Sequence, residues 1–256
     1  MALLMRQGIS FLQRIKSNML KKILKNIVRI LGYDVTGRYQ FNDQGYHLSK
    51  LLRFHAVDVV FDIGANTGQF AISLRDNGYL GLIVSFEPLP EAYLGLLKNS
   101  SRDDRWLVHE RVALGSSEGK VVINVSKNSV SSSILPMEDL HLQAADDSAY
   151  IDKVEVKLTT LDDILNKYVT KGSSLFIKMD AQGYEGQIMQ GAVKSLTVAK
   201  GVMCELSICD LYKNQAIWTE IISKLESFGF SIWAMQKGFC DEKSGRMMQV
   251  DGIFFK

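Results

Sequence analysis

The stretch Val59-Val-Phe-Asp-Ile-Gly-Ala-Asn-Thr-Gly68 decides the fold of this chain. Its first half belongs to a β-branched run over residues 57–63, which predicts a buried strand. Residues 69–77 have helical spacing and predict a helix directly after it. Gly64 and Gly68 permit a tight turn and a close approach of the backbone to a ligand. Because the start of a helix also offers free N–H groups to an anionic group, we expect a ligand loop here.

Strands and helices alternate on both sides of this loop. A short apolar segment at 48–54 precedes it, and a strand pattern at 82–86 and a helix pattern at 90–99 follow it. Such alternation is typical of an α/β protein. Further helix patterns run over 161–168, 187–197 and 217–228, and further strand patterns over 154–158, 174–179, 201–206, 230–235 and 249–255.

The middle of the chain departs from this alternation. Two apolar runs, 106–114 and 120–125, are separated by the turn-like spacer Gly115-Ser-Ser-Glu-Gly119, which predicts a β-hairpin. Residues 126–150 then turn polar and contain the cluster Ser129-Val-Ser-Ser-Ser133. We expect this segment to be a surface excursion beside the ligand loop.

An acidic residue supports a nucleotide-like ligand. Glu87 follows the strand pattern at 82–86, about twenty residues beyond the glycine loop, where a doubly wound sheet places a carboxylate on ribose hydroxyls. The glycine spacing is GxxxG and not the GxGxxG of dinucleotide-binding proteins, and the Lys-Ser/Thr ending of a P-loop is missing. NAD and ATP are therefore disfavoured as ligands.

Six ordered segments together resemble the FkbM-type family of S-adenosylmethionine (SAM)-dependent O-methyltransferases. They are VVFDIGANTGQFA, VSFEPLPEAY, VALGSSEGKVVINV, SSSIL, LTTLDDIL and FIKMDAQGYEGQIMQGA, and they cover roughly residues 57–192. The resemblance implies a class I methyltransferase fold, a Rossmann-like doubly wound sheet of about seven strands with the last strand antiparallel. It also implies transfer of a methyl group from SAM to a hydroxyl, either on a sugar of a glycolipid or polysaccharide or on a secondary metabolite.

The resemblance assigns roles to the loop and to the end of the next strand. Three loop residues would shape the part that holds the methionine of SAM, Asn66 would contact that methionine end, and Glu87 would bind the ribose. The implied cofactor-binding residues are Asp62, Gly64, Ala65, Asn66, Gly68, Glu87 and Pro88. The chain departs from the family pattern at Arg111, where asparagine is common, and at Gln182, where glutamate is usual.

Asp180 is the candidate catalytic residue, because it follows Phe176-Ile-Lys-Met179 at the carboxyl end of a predicted strand, where sheet ligands lie. It could accept the hydroxyl proton during transfer. The alternative is that Asp180 orders the turn at Gly183 while proximity alone drives transfer. Glu185 and Glu205 are lesser candidates that would orient substrate or pair with a nearby base.

Other polar residues give weaker signals. The four histidines have no metal-ligand spacing, so we expect no metal. His55 and His141 are either structural or bases at the acceptor pocket, and residues 131–133 either line a pocket or form a solvated loop. Cys204 and Cys209 resemble buried core thiols.

Composition limits the partners. The net charge of +2 creates no whole-molecule field for nucleic acid, and three scattered cysteines favour a reduced, cytoplasmic compartment.

Residues 11–31 form an amphipathic pattern whose charges are all lysine or arginine, which predicts a helix packed on the domain or a peripheral contact with an anionic membrane. No run of about eighteen apolar residues predicts a spanning helix. We expect an N-terminal helical extension over residues 1–45 and a methyltransferase domain over 46–256.

Two other functions are compatible with parts of this pattern. A nicotinamide-dependent oxidoreductase shares the strand, loop and acidic-residue arrangement, but the middle glycine is missing. A membrane-associated interaction protein could use a methyltransferase-like fold without catalysis, since fold does not guarantee chemistry.

Overall fold

The stretch that begins at Val59 forms an inner strand, third from one edge, of a seven-stranded sheet in the computed structural model, which describes residues 43–256. The helices are α1 (Gln44–Phe54), α2 (Gln69–Asp76), α3 (Pro90–Ser100), α4 (Asp139–Ala144), α5 (Leu161–Tyr168), α6 (Glu185–Gln190), α7 (Val193–Val198) and α8 (Trp218–Ser227), with a 3₁₀ turn at Asp146–Ser148. The strands are β1 (Val59–Ile63), β2 (Leu82–Phe86), β3 (Trp106–Val108), β4 (Ala113–Leu114), β5 (Gly119–Ser126), β6 (Tyr150–Thr159), β7 (Leu175–Met179), β8 (Gly201–Ser207), β9 (Ser231–Lys237) and β10 (Gln249–Phe255).

The large sheet has the order β3-β2-β1-β7-β8-β10-β9. Its strands pair in parallel except for β10, which is antiparallel to both β8 and β9. The chain moves outward from β1 to β3 and then returns to place β7 beside β1. Between β1 and β7 the strand order reverses, and ligands of open α/β sheets bind in the crevice at such a point. The predicted class I methyltransferase fold, with its last strand antiparallel, is confirmed.

Side chains of the large sheet alternate between two apolar cores. Val59 and Phe61 pack into one core and Val60 into the other. On the second face, apolar side chains give way to charged ones toward the carboxyl ends of the parallel strands. The charged residues that continue this face on β1, β7, β8 and β10 are Asp62, Lys178, Glu205 and Asp251.

The hairpin predicted for residues 106–125 is wrong. The run at 106–114 splits, because β3 joins the large sheet beside β2 whereas β4 joins a separate three-stranded sheet of order β4-β6-β5. In that sheet β4 runs parallel to β6 and β5 runs antiparallel to it. The spacer 115–119 therefore crosses the end of β6 instead of joining two paired strands.

The single helix predicted over 187–197 is divided into α6 and α7. Gly191 separates them and lies so close to Gly115 that a Cβ atom on Gly191 would be 2.0 Å from the Gly115 carbonyl oxygen. The second helix is capped by Asp162, whose carboxylate accepts hydrogen bonds from the amides of Lys194 (2.9 Å) and Ser195 (2.8 Å). A tertiary contact and a cap from another helix thus override a continuous helical pattern.

Replacing Asp162 with alanine should lower the free energy of unfolding by about 1–2 kcal/mol, because two amides at the start of α7 lose their acceptor. Urea unfolding at pH 7 measures this loss. Asp162→Asn keeps one acceptor oxygen and should cost less, and Glu226→Ala, on the exposed side of α8, serves as the control. Equal stability of Asp162→Ala and the unaltered protein would contradict the capping role.

The amphipathic pattern at 11–31 lies outside the described residues, and the domain boundary expected between residues 45 and 46 stays a prediction. Residues Leu48–Lys256 cluster as one unit. Within the part of the chain that the structure describes, no helix is both long enough and apolar enough to cross a membrane.

Candidate functional site

A cavity of about 380 Å³ opens at the carboxyl ends of the parallel strands, around the point where the strand order reverses. Its volume is in the range that small-ligand sites occupy. One part of its wall is mostly apolar and includes Leu89, Val112 and Ile123. Another part of the wall is polar and carries Lys178 and two carboxyl groups. The cavity therefore has two chemically different ends.

The loop after β1 forms the floor of this cavity and is fixed on both sides. The amides of Gly64 and Ala65 each donate to the Phe86 carbonyl at 3.1 Å, and the amide of Asp180 donates to Ile63 O at 3.2 Å. Gly64 has φ +71°, and a Cβ atom there would lie 1.8 Å from the Asp180 carbonyl oxygen. Only glycine satisfies both the conformation and this close approach.

Glu87 stands beside the loop with its carboxylate held by two backbone amides. Its Oε2 accepts from the Asn66 amide at 2.7 Å and its Oε1 from the Leu89 amide at 2.8 Å. Glu87 is 4% exposed and lines the cavity. Burial raises the pKa of Glu87 to about 7 even though both amides favour the charged form. Each oxygen keeps a lone pair for a hydroxyl donor in the cavity.

The other cofactor-binding residues expected from the sequence divide into two groups. Gly64, Ala65, Asn66 and Pro88 line the cavity together with Glu87. The remaining two, which lie beneath the loop and outside the cavity wall, are Asp62 and Gly68.

These two residues support the loop from below. The Ser85 hydroxyl donates to Asp62 Oδ2 at 3.1 Å and accepts from the Trp106 indole N–H at 3.0 Å. A Cβ atom on Gly68, which has φ +96°, would lie 2.5 Å from the Trp106 ring. Asp62 and Gly68 thus determine the shape of the loop and do not form its ligand surface.

Lys178 is a functional candidate that the sequence reasoning did not single out. Its Nζ donates to the carbonyls of Ile63 (3.2 Å) and Gly64 (3.0 Å), and it lies 3.3 Å from Asp62 Oδ1 and 3.4 Å from Asp180 Oδ2. Its side chain is only 7% exposed. Burial lowers the pKa of Lys178, but the two carboxylates outweigh burial and raise that pKa above its usual value. The signal in the sequence was a lysine inside an otherwise apolar strand.

Asp180, the candidate catalytic residue, lines the polar end of the cavity, and its side chain is 38% exposed. Both of its oxygens have partners. Oδ2 faces Lys178, and Oδ1 accepts from Gln182 Nε2 at 2.9 Å. The cavity position fits a substrate contact, whereas the two partners restrain the carboxylate.

Gln182 connects four groups around this carboxylate. It has φ +52°, its Oε1 accepts from the Tyr212 hydroxyl at 2.7 Å, and its backbone carbonyl accepts from the Ser133 hydroxyl at 2.6 Å. Because the hydroxyl of Tyr212 occupies Oε1, Nε2 points to carboxylates and donates to both Asp180 and Glu205 (3.1 Å). An ionised glutamate could not donate to either one.

The lesser candidates lie behind the cavity. Glu185 is buried and accepts from the Ala181 amide at 2.7 Å, so it holds the turn after β7 in place. Burial raises the pKa of Glu185 to about 7, and burial followed by the charge of Asp180 raises that of Glu205 well above its usual value. Neither residue is part of the cavity wall.

The histidines considered as bases lie elsewhere. The His55 ring stacks on Phe255 at 3.8 Å, and the His141 ring packs edge-on against Tyr212 at 5.1 Å; neither lines the cavity. Within residues 43–256, no group of three or more His, Cys, Asp or Glu side chains is arranged to hold a metal ion.

The serine cluster at 129–133 and Arg111 were also singled out in the sequence. Of the serine cluster, Ser129, Ser132 and Ser133 line the cavity, whereas Ser131 is turned to Ser148 at 2.9 Å. The exposed Arg111 donates to the Pro88 carbonyl at 3.4 Å. The predicted polar excursion thus supplies part of the cavity wall.

The fold and the glycine loop beside Glu87 define a class I methyltransferase. The family described as the Methyltransferase FkbM domain matches residues 62–232, about two thirds of the chain. This chain belongs to that family, and SAM is its methyl donor.

Named relatives are distant. The 2-O-methyltransferase NoeI of Sinorhizobium fredii (strain NBRC 101917 / NGR234) is 28% identical over 180 residues, which cover 66% of this chain and 72% of that protein. The plantazolicin methyltransferase BamL, solved with S-adenosylhomocysteine, is 11% identical with a TM-score of 0.46, covering 85% of this chain and 86% of its own. The O-methyltransferase from Bacillus cereus is 14% identical with a TM-score of 0.43, and the match covers 93% of this chain and 91% of that protein.

Replacing Gln182 with glutamate should destabilise the protein in a pH-dependent way. The new carboxyl would lie between Asp180 and Glu205, so its folded-state pKa should exceed its unfolded value. The destabilisation is then absent at low pH and grows as the pH rises, to about 1–3 kcal/mol at pH 8. Urea unfolding from pH 5 to 8 measures it. Gln190→Glu makes the same charge change at the exposed end of α6 and should show no such slope.

Proposed function

We propose that this methyltransferase methylates a hydroxyl oxygen, and that its acceptor is a sugar of a glycolipid or polysaccharide or a hydroxylated secondary metabolite. The observation that carries the proposal is the two-ended cavity, with Glu87 near the apolar end and Asp180 at the polar end. The similarity to NoeI, a protein named as a 2-O-methyltransferase, supports oxygen as the atom that receives the methyl group.

The residues of the cavity fit SAM. The backbone of Gly64 to Asn66 would hold its methionine part, Glu87 would accept hydrogen bonds from the ribose hydroxyls, and the apolar wall around Val112 would enclose the adenine. The bound group supplies a methyl group activated by a positively charged sulfur. The carboxylate of Asp180 at the polar end favours a cationic donor electrostatically.

The polar end would hold the acceptor. A carboxylate accepts hydrogen bonds from hydroxyl groups, and a neutral hydroxylated substrate brings no charge that these carboxylates would repel. We place the reacting hydroxyl at Asp180, whose pairing with Lys178 and Gln182 fixes the direction of its oxygens. Such fixed geometry aligns the hydroxyl for attack and contributes to rate through orientation.

The other functions considered from the sequence have less support. The family match favours methyl transfer over nicotinamide chemistry. The cavity, with a lysine and carboxyl groups in its wall, favours an enzyme over an interaction protein. Contact of the basic segment 11–31 with an anionic membrane, near a lipid-linked acceptor, stays a prediction from the sequence.

Replacing Glu87 with glutamine should weaken SAM binding about 10- to 100-fold, because hydrogen bonds to a charged acceptor contribute roughly 1.5–3 kcal/mol. Isothermal titration calorimetry with SAM measures the change, and thermal melting checks that the variant is folded. Glu91→Gln, on the exposed side of α3, is the matched control. SAM affinity equal to that of the unaltered protein would contradict the ribose assignment.

The acceptor class can be tested directly. The protein incubated with SAM and a panel of hydroxylated glycolipids, oligosaccharides and natural products should add one methyl group, about 14 mass units, to a hydroxyl of at least one compound. Mass spectrometry with SAM labelled on the methyl group detects the transfer, and fragmentation locates it. Methylation of amines or thiols in place of hydroxyls would overturn the proposal.

A further inference from the structure

Two carboxyl groups face each other across neighbouring strands beside the cavity. Asp251 on β10 is paired directly with Glu205 on β8 in the antiparallel register. Side chains opposite one another in such a pair lie on the same face, with Cβ atoms about 4.5–5.5 Å apart, and like charges there are destabilising. An arrangement that costs stability at the edge of a ligand cavity is typical of a functional site.

Only one member of this pair reaches the cavity. Asp251 is part of the wall next to Met203 and Lys178, whereas Glu205 lies behind it. The wall contains three carboxyl groups in the described part of the chain, namely those of Glu87, Asp180 and Asp251. Their hydrogen bonds distinguish them.

Glu87 accepts from two backbone amides, and Asp180 is held by Lys178 and Gln182. Asp251 differs from both, because no group within residues 43–256 donates a hydrogen bond to its carboxyl. Asp251 is half-buried, and its carboxyl oxygens stay accessible in the cavity wall, where they can accept a hydrogen bond. Asp251 is therefore the wall carboxyl with free capacity to accept a hydrogen bond from substrate.

Three titratable side chains lie near Asp251. The neighbours are Lys178 on β7, Asp180 directly after β7 and Glu205 on β8. The position opposite Asp251 on β9 is Gln236, which does not titrate. Burial, and after it the charge of Asp180, raises the pKa of Asp251 to about 7, although Lys178 lowers it. A group with such a pKa can both take up and release a proton near neutral pH.

We propose that Asp251 is the residue that accepts the proton of the acceptor hydroxyl, while Asp180 orients that hydroxyl. This inference rests on the proposed function. The acceptor oxygen forms a bond to the methyl carbon as the bond between that carbon and sulfur breaks, and the electron pair of the broken bond stays on sulfur, which becomes a neutral thioether. The hydroxyl proton passes to the Asp251 carboxylate and from there to water.

Glu205 has a supporting part in this arrangement. Burial, and then the charge of Asp180, raises the pKa of Glu205 well above its usual value, which favours its uncharged form. Gln182 donates to it at 3.1 Å and fixes its position. Of the two carboxyl groups, only that of Asp251 reaches the cavity, so it is the one that can exchange a proton with substrate.

Replacing Asp251 with asparagine in the whole 256-residue chain tests the inference. With an acceptor from the mass spectrometry panel, kcat should fall at least about 100-fold, as for loss of a general base. The rise of kcat/KM with pH through about 7 should disappear. SAM binding, measured by calorimetry, should change by less than about five-fold, since the groups proposed to bind the ribose and methionine are untouched.

Stability gives a readout that does not depend on turnover. Because the folded-state pKa of Asp251 is raised above its unfolded value, this group costs stability progressively as the pH rises from about 4 to about 7. Asp251→Asn should remove that slope, so the variant should melt at the same temperature as the unaltered protein or higher at pH 8. A residue with only a structural role would instead lower the melting temperature when replaced.

Two further variants separate the outcomes. Asp180→Asn should lose turnover and move the pH dependence to lower pH without abolishing it, because the charge of Asp180 helps to raise the pKa of Asp251. The exposed Asp104→Asn should match the unaltered protein in every measurement. Retention of turnover and of the pH dependence by Asp251→Asn would overturn the inference, as would loss of the pH dependence in Asp180→Asn alone. Methylation of amines or thiols instead of hydroxyls by the unaltered protein would overturn the proposed function, so the two failures are distinguishable.

Discussion

The ion pair between Lys178 and Asp62 is the interaction on which the site depends. Asp62 is fully buried beneath the glycine loop, and Lys178 spans the space between this carboxylate, the carbonyls at the end of β1 and the carboxylate of Asp180. Removing either partner would leave an uncompensated charge in the interior, which typically costs about 3–5 kcal/mol. The same ammonium thus fixes the loop that would receive the donor and the carboxylate that would receive the acceptor.

This pair is one part of a change from apolar to charged side chains along a single face of the sheet. Three parallel strands place Asp62, Lys178 and Glu205 toward their carboxyl ends, where core residues would otherwise continue. The antiparallel β10 places Asp251 at the same edge, near its amino end. Three carboxyl groups share one ammonium, so the face cannot be fully ionised at low cost. The consequence is a set of raised pKa values at the edge where the cavity opens, as expected of a site that binds or moves protons.

The fold was largely predictable from the sequence because its signals are local. Three elements have the predicted bounds, namely the strands at 82–86 and 249–255 and the helix at 161–168. Each is a short segment bounded by turn or loop residues. The errors come from tertiary contacts. The spacer 115–119 looks like a hairpin turn, but its flanking strands both pair with β6, and the helix at 187–197 is broken by the approach of Gly191 to Gly115.

The site was only partly predictable, for a different physical reason. Glu87 and the glycine loop are adjacent in sequence to the strand ends that position them, so their proximity follows from the topology. Asp251 is about seventy residues beyond Asp180, and only the insertion of antiparallel β10 beside β8 brings it into the cavity wall. The replacement at Gln182 was visible as a departure, but its effect depends on Tyr212, which orients the amide toward two carboxylates. An amide at Gln182 means that one carboxylate fewer lies beside Asp180 and Glu205. Its hydrogen bonds go to those two residues and not to Asp251. The departure from the family pattern therefore belongs to the same electrostatic arrangement as the carboxyl that remains free in the cavity.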